Sequence, residues 1–128
     1  MRARGAVDPI LIVDDDENIR QIVRLCLSDE GYEVVEAENG VAALAAVEKF
    51  HPSLILLDLR MPVMDGWEFA RRYHAGPAPH VPLIAFVAAL NVEQECAEVD
   101  TAAILAKPFD LDDLLEAVRT HVDRYVKT

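Results

Sequence analysis

The sequence predicts an α/β fold, a doubly wound parallel sheet of five strands with five helices on its two faces. Three observations predict it. Ile10–Val13, Leu54–Leu57 and Leu83–Val87 are continuous apolar runs, which marks strands covered on both faces. Segments with helical spacing fall between the runs, so strands and helices alternate. The links between them are short and carry Gly, Pro or Asp.

Taken in order, the apolar block Ile10–Val13 ends abruptly in Asp14-Asp15-Asp16. Ile19, Ile22, Val23 and Cys26 then recur with helical spacing until Gly31 stops the helix. Cys26 shares that face and is expected in the core. Glu33–Ala37 reads as a second, shorter strand, and Gly40–Phe50 as an Ala-rich helix with Leu44 and Val47 inward. His51-Pro52 breaks the chain before Leu54–Leu57, the third strand, which Asp58 closes. Pro62 and Gly66 mark a loop, and Met61 and Met64 are expected to pack within it. Trp67–Tyr73 is a helix, with Trp67 and Phe69 as packing residues, ended by Gly76-Pro77 and Pro79. Leu83–Val87 is the fourth strand. Asn91–Val99 is a weak helix with few apolar anchors, and the acidic run Glu93–Glu98 is expected as a solvated face. Ala102–Ala106 forms the fifth strand, followed by Lys107-Pro108. The last helix is the clearest, with Leu111, Leu114, Leu115, Val118 and Val122 on one face and Asp110 placed as its N-cap.

The 128 residues suit one domain spanning 1–128, with its core over about 9–126 and no internal repeat or linker. A net charge of −11 argues against direct contact with nucleic acid, which needs a basic stripe, and the Arg71-Arg72 pair is too small to supply one. Most of that acidity reads as solubility. Cys26 and Cys96 form no CxxC pattern, which argues against a metal or redox role and fits a reducing cytoplasm. Ile10–Val13 is too short for a signal peptide, and no stretch is long and apolar enough to span a membrane. His51, His74, His80 and His121 show no metal-ligand spacing and are expected at the surface.

A parallel sheet brings the carboxyl ends of the first, third and fifth strands to one rim, where doubly wound sheets place their sites. Asp14, Asp15, Asp58 and Lys107 then converge. Two carboxylates ~5 Å apart at an effective dielectric near 20 repel by roughly 3 kcal/mol. The cluster therefore calls for a lysine, a bound cation or raised carboxyl pKa values. Hard oxygen ligands with room for water suit Mg²⁺. Helix capping is the alternative for such acids, and Asp16 fits that role alone.

ILIVDDDENIR, LILLDLRMPVMDGWE and ILAKPFDLDDLLEAV resemble the signature segments of response-regulator receiver domains, in order and in spacing, from Pro9 to about Tyr125. The resemblance implies a flavodoxin-like sheet of order 2-1-3-4-5 and a role in two-component phosphorelay signalling. It implies that Asp58 accepts a phosphoryl group from a kinase phosphohistidine. Asp15, Asp58 and the backbone carbonyl of Arg60 would hold Mg²⁺ or Mn²⁺, with Asp14 acting through a metal-bound water. Lys107 would bind a phosphoryl oxygen, and the bond to Pro108 would be cis. Expected partners are a sensor histidine kinase or phosphotransfer protein, and a downstream protein on the face made by helix 4, strand 5 and helix 5. The setting would be cytoplasmic and the module not an enzyme. The initial Met and the full last helix favour a free-standing receiver.

The sequence departs from the family pattern where strand 4 ends. Ser or Thr is usual there, and this chain has Val87. Valine fills the space of threonine without the hydroxyl. The missing bond to a charged oxygen is worth roughly 1.5–3 kcal/mol. Ile104 replaces a frequent aromatic residue, and Asp100-Thr101 replaces the usual Gly-Ala. The stretch from Val87 to Lys107 is also slightly short, so the fourth helix is expected short, shifted or loose. The Arg60 side chain either reaches over the phosphoryl group and shields it from water or is simply exposed. Two rival readings follow: a pseudo-receiver that binds partners without phosphorylation, and a phosphatase of the haloacid dehalogenase type starting at Asp14-Asp15-Asp16. Against the phosphatase stand the short chain, Asn18 where Thr or Val is expected, and the lack of a second acidic loop.

Overall fold

The computed structural model describes residues 8–77, 79–88 and 92–126. The elements alternate as expected: β1 (Ile10–Val13), α1 (Glu17–Asp29), β2 (Val34–Ala37), α2 (Gly40–Phe50), β3 (Leu54–Asp58), α3 (Gly66–Ala75), β4 (Leu83–Ala88), α4 (Val92–Glu95), β5 (Ala103–Lys107) and α5 (Leu111–Val126). All strand pairings are parallel, in the order β2-β1-β3-β4-β5. The sheet is therefore doubly wound with flavodoxin-like topology.

Side-chain alternation along the strands divides the core in two. Ile10, Ile12, Leu54, Leu56, Ile84 and Phe86 pack against Val23 and Leu27 of α1 and Leu114, Val118 and Val122 of α5. Leu11, Val13, Ile55, Leu57, Leu83, Ala85 and Val87 pack against α2 and α3 through Ala43, Ala46, Phe69, Ala70 and Tyr73. Every residue of β1 and β3, and of β4 up to Val87, is thus buried on one face or the other, which is why those runs are unbroken in the sequence.

Local chemistry sets the helix starts. Asp16 caps α1 by accepting from the Asn18 and Ile19 amides at 2.9 and 3.4 Å. Asn39 caps α2 through Ala42, and Asp65 caps α3 through Glu68, both at 2.9 Å. At α5 the Asp110 carbonyl accepts from the Leu114 amide at 3.1 Å.

Several expectations are corrected. On α1 the buried stripe is Val23 and Leu27, with Ile19 packed alongside. At about 100° per residue, Ile22 lies about 100° round the helix from Val23 and falls outside the stripe, while Cys26 lies about 60° round and falls at its edge. Ile22 is 49% exposed and Cys26 is only half-buried. On α2 the small residues Ala43 and Ala46 approach the sheet most closely, leaving Leu44 and Val47 partly buried at the flanks. Asn91 lies outside the described residues, and α4 is a single turn rather than a helix reaching Val99. Glu95 is 6% exposed, so the acidic run is not uniformly solvated. His51 is exposed, whereas His74, His80 and His121 are half-buried. His74 and His80 meet at 5.4 Å between ring centres, and each ring contacts Tyr73.

Candidate functional site

Register brings the acids together. Val13 is level with Leu57, so Asp14 and Asp58 follow side by side on adjacent strands. Asp58 is level with Phe86, and Lys107 with Ala88. Carboxylate oxygens of Asp14, Asp15 and Asp58 all lie within 4.8 Å of one another. They open into a cleft of about 860 Å³ that also contains Arg60, Val87, Glu95 and Lys107. Its other wall is apolar, made by Ile19, Ile22, Phe86, Phe109 and Leu111.

The three acids differ in surroundings. Asp14 is fully buried and accepts from the Asp16 amide at 2.9 Å. Asp58 is 6% exposed, while Asp15 is exposed. Lys107 Nζ reaches Asp58 Oδ1 at 3.3 Å and Asp14 Oδ2 at 3.4 Å. Burial, reinforced by the Asp14 carboxylate and opposed by Lys107, pushes the Asp58 pKa up to about 6. Burial also raises Asp14. For Lys107, burial acts to lower the pKa, but Asp58 and Asp14 outweigh it and the ammonium is held above its ordinary value. One lysine thus leaves the carboxylates undercompensated. Clustered hard oxygens with a partly exposed member fit a hard divalent cation.

Supporting contacts fix this rim. Arg20 Nη1 donates to the Asp14 carbonyl at 2.7 Å, and its Nε donates to Glu36 at 2.9 Å. Gly66 sits against β3, and a Cβ there would meet the Asp58 carbonyl oxygen at 2.5 Å and Leu59 Cα at 2.7 Å. The Lys107-Pro108 bond is cis. Phe109, just beyond, packs on Phe86 with ring centres 4.8 Å apart.

Val87 is 1% exposed and lines the cleft, so this position presents methyl groups where the family pattern has a hydroxyl. Ile104 is 40% exposed. The Arg60 side chain takes the exposed course, with 70% of its surface open to solvent, but it is not free. It is ion-paired with Glu95 through both Nε, at 3.0 Å, and Nη2, and its guanidinium lies over the Trp67 ring at 5.3 Å. Trp67 Nε1 in turn donates to the Glu95 carbonyl at 2.7 Å. Sequence reasoning missed Glu95. Its signal was present: Val92, Cys96 and Val99 recur at helical spacing, and position 95 falls on that inward stripe.

Comparisons with known proteins agree with this geometry. The family model described as response regulator receiver domain matches residues 10–119. Sporulation initiation phosphotransferase F of Bacillus subtilis is 36% identical over 116 residues, covering 90% of this chain and 94% of that protein. Response regulator MprA of Mycobacterium tuberculosis is 37% identical over 117 residues. There the match covers 90% of this chain, which spans about half the length of that relative. Among solved structures, the Vibrio cholerae chemotaxis protein CheY4 superimposes with a TM-score of 0.80 at 34% identity, over 91% of this chain and 99% of that one. The receiver domain of sensor histidine kinase PA1611 from Pseudomonas aeruginosa, solved with magnesium in its active site cleft, gives 0.83 at 30% identity, over 92% and 99%. Sheet order, the acid–lysine rim and a family match over most of the chain converge, and the chain belongs to the response regulator receiver domains of two-component systems.

Proposed function

We propose that this receiver accepts a phosphoryl group on Asp58 from the phosphohistidine of a sensor kinase or phosphotransfer protein. The Asp58 carboxylate attacks phosphorus, the P–N bond to imidazole breaks, and an aspartyl phosphate forms as the donor histidine leaves. One observation carries the reading: Asp58 is gathered with Asp14, Asp15 and Lys107 at one strand-end rim.

The residues have separate tasks. Asp58 is the nucleophile. Lys107, already within 3.3 Å of Asp58, clamps a phosphoryl oxygen and gathers developing charge. Receiver domains generally bind Mg²⁺, and here Asp15, Asp58 and the Arg60 carbonyl would hold it or Mn²⁺, with Asp14 acting through water. When bound, the cation offsets the repulsion among the carboxylates and the incoming phosphoryl group. The apolar wall at Ile19, Ile22 and Leu111 offers a surface on which a donor helix can seat its histidine beside Asp58. Each chain is labelled once rather than turning over, so the domain is a signalling part and not an enzyme. Output passes to a downstream protein through the α4-β5-α5 face, without direct contact to nucleic acid or membrane, in a cytoplasmic setting.

Intact mass tests this. With an acyl phosphate donor and Mg²⁺, the native chain should gain one phosphoryl group and Asp58→Asn none. Release of many phosphates per chain would instead support a phosphatase.

The pseudo-receiver reading is favoured by Val87, whose buried methyl groups offer the phosphoryl group no donor. Partner binding that survives Asp58→Ala unchanged would establish it.

A further inference from the structure

We propose that Arg60 is the moving part of this receiver, clasped by Glu95 in the unphosphorylated chain and drawn off by a phosphoryl group on Asp58, so that Glu95 and α4 are released. The inference rests on phosphorylation of Asp58 as proposed above.

The clasp is lopsided. The Glu95 side chain is 5% exposed, whereas Arg60 is 70% exposed. Both contacts from Arg60 fall on Oε2, and Oε1 is buried without a hydrogen-bond partner. A buried carboxylate satisfied at one oxygen depends on its cation. The arginine, mostly in water, loses little by leaving. Glu95 therefore needs Arg60 more than Arg60 needs Glu95.

Arg60 also borders the site of Asp58. It lies two residues past Asp58 and lines the same cleft as Asp58 and Glu95. Among the described residues lining that cleft, Arg60 and Lys107 are the cations, and Lys107 is already divided between Asp58 and Asp14. A phosphoryl group adds charge and acceptor oxygens, for which a planar guanidinium is a better partner than for a single carboxylate oxygen. Val87 supplies no competing donor. Once Arg60 turns to phosphate, Glu95 is a buried anion without a cation and must reach solvent. It sits at the end of a one-turn helix tied to α3 by the Trp67 indole, so that helix moves with it. The clasp thus does by charge what a hydroxyl at position 87 would do by hydrogen bonding.

Trp67 is the only tryptophan of the chain and touches both halves of the clasp. The test follows Trp67 emission and amide hydrogen exchange in the intact chain, with an acyl phosphate and Mg²⁺, while intact mass gives the extent of labelling. Emission should change in proportion to the adduct, and amides of residues 92–99 should exchange about tenfold faster in the labelled chain. In Glu95→Gln, whose neutral amide needs no cation, labelling should alter exchange in 92–99 by less than about twofold. A full adduct with Trp67 and residues 92–99 unmoved would overturn the clasp and leave the phosphoacceptor reading standing. A Glu95→Gln chain that responds as strongly as the native one would also overturn it. Absence of an adduct would remove both readings.

Discussion

Substituting Asp58 by Asn should stabilise the fold in the absence of divalent cations. Asp58 is buried beside the fully buried Asp14, and one partly exposed lysine serves both. Its pKa stands at about 6 in the folded chain against an ordinary 3.8. A raised carboxyl pKa means that the fold prefers the protonated form. The resulting destabilisation is absent below about pH 4, develops between pH 4 and 6, and is complete above 6. At 1.36 kcal/mol per pH unit, this corresponds to about 3 kcal/mol at pH 8. Asparagine carries no charge at any pH and escapes the whole of it.

Thermal and denaturant unfolding with a chelator present, at pH 8 and again at pH 4, read this directly. At pH 8, Asp58→Asn should melt about 10 °C above the native chain. At pH 4 the difference should largely vanish. Added Mg²⁺ should narrow the gap at pH 8 from the native side, because the cation stabilises the state that binds it, by about 2.7 kcal/mol at a hundred times its dissociation constant. A substituted chain no more stable than the native one at pH 8, or a gap equal at both pH values, would refute the charge crowding inferred at this rim. The site would then have to be explained as satisfied structural polarity.

Val87→Thr should cost about 1–3 kcal/mol in the unphosphorylated chain, since it buries a hydroxyl among apolar neighbours, and should raise the population of the phosphorylated conformation about tenfold. Urea unfolding and exchange in residues 92–99 of the labelled chain check the two halves. Gly66→Ala should lose about 1–3 kcal/mol, because the new methyl meets the Asp58 carbonyl and Leu59 backbone. Its Mg²⁺ affinity, read by calorimetry, should fall with it. Arg20→Gln should lose about 1–2 kcal/mol by freeing the Asp14 carbonyl and one contact of Glu36, while Arg24 still holds Glu36. Equal stability of this variant and the native chain would show that the carbonyl contact is decorative.

The fold was legible because each of the central strands is covered on both faces, and burial on both faces leaves an unbroken apolar run. The acid rim was legible for a related reason. An apolar run that switches at once to Asp marks where a strand leaves the core, and β1 and β3 both do so. Side-chain placement on helices was harder. The apolar stripe of α1 is wider than its buried stripe, because Ile22 lines the cleft rather than the core, and sequence periodicity does not distinguish these environments. His74 and His80 are half-buried because their rings meet Tyr73 and each other at tilted and edge-on angles, contacts that follow no sequence period.

Glu95 shows where such reading stops and why. A run of acids is ordinarily solvated, since an unpaired buried carboxylate is costly. The cost is met here by Arg60, 35 residues away in sequence, so only the folded chain reveals that the acid is tolerated. The same tolerance makes the contact informative. A site already crowded with carboxylates gains nothing in stability from drawing a further acid toward it, and replacing Glu95 by an apolar residue would fill the stripe of Val92, Cys96 and Val99 more cheaply. An interaction that stability alone does not favour, placed between Asp58, the proposed phosphoacceptor, and the helix beside it, is where a receiver lacking the usual hydroxyl can still couple phosphorylation to shape.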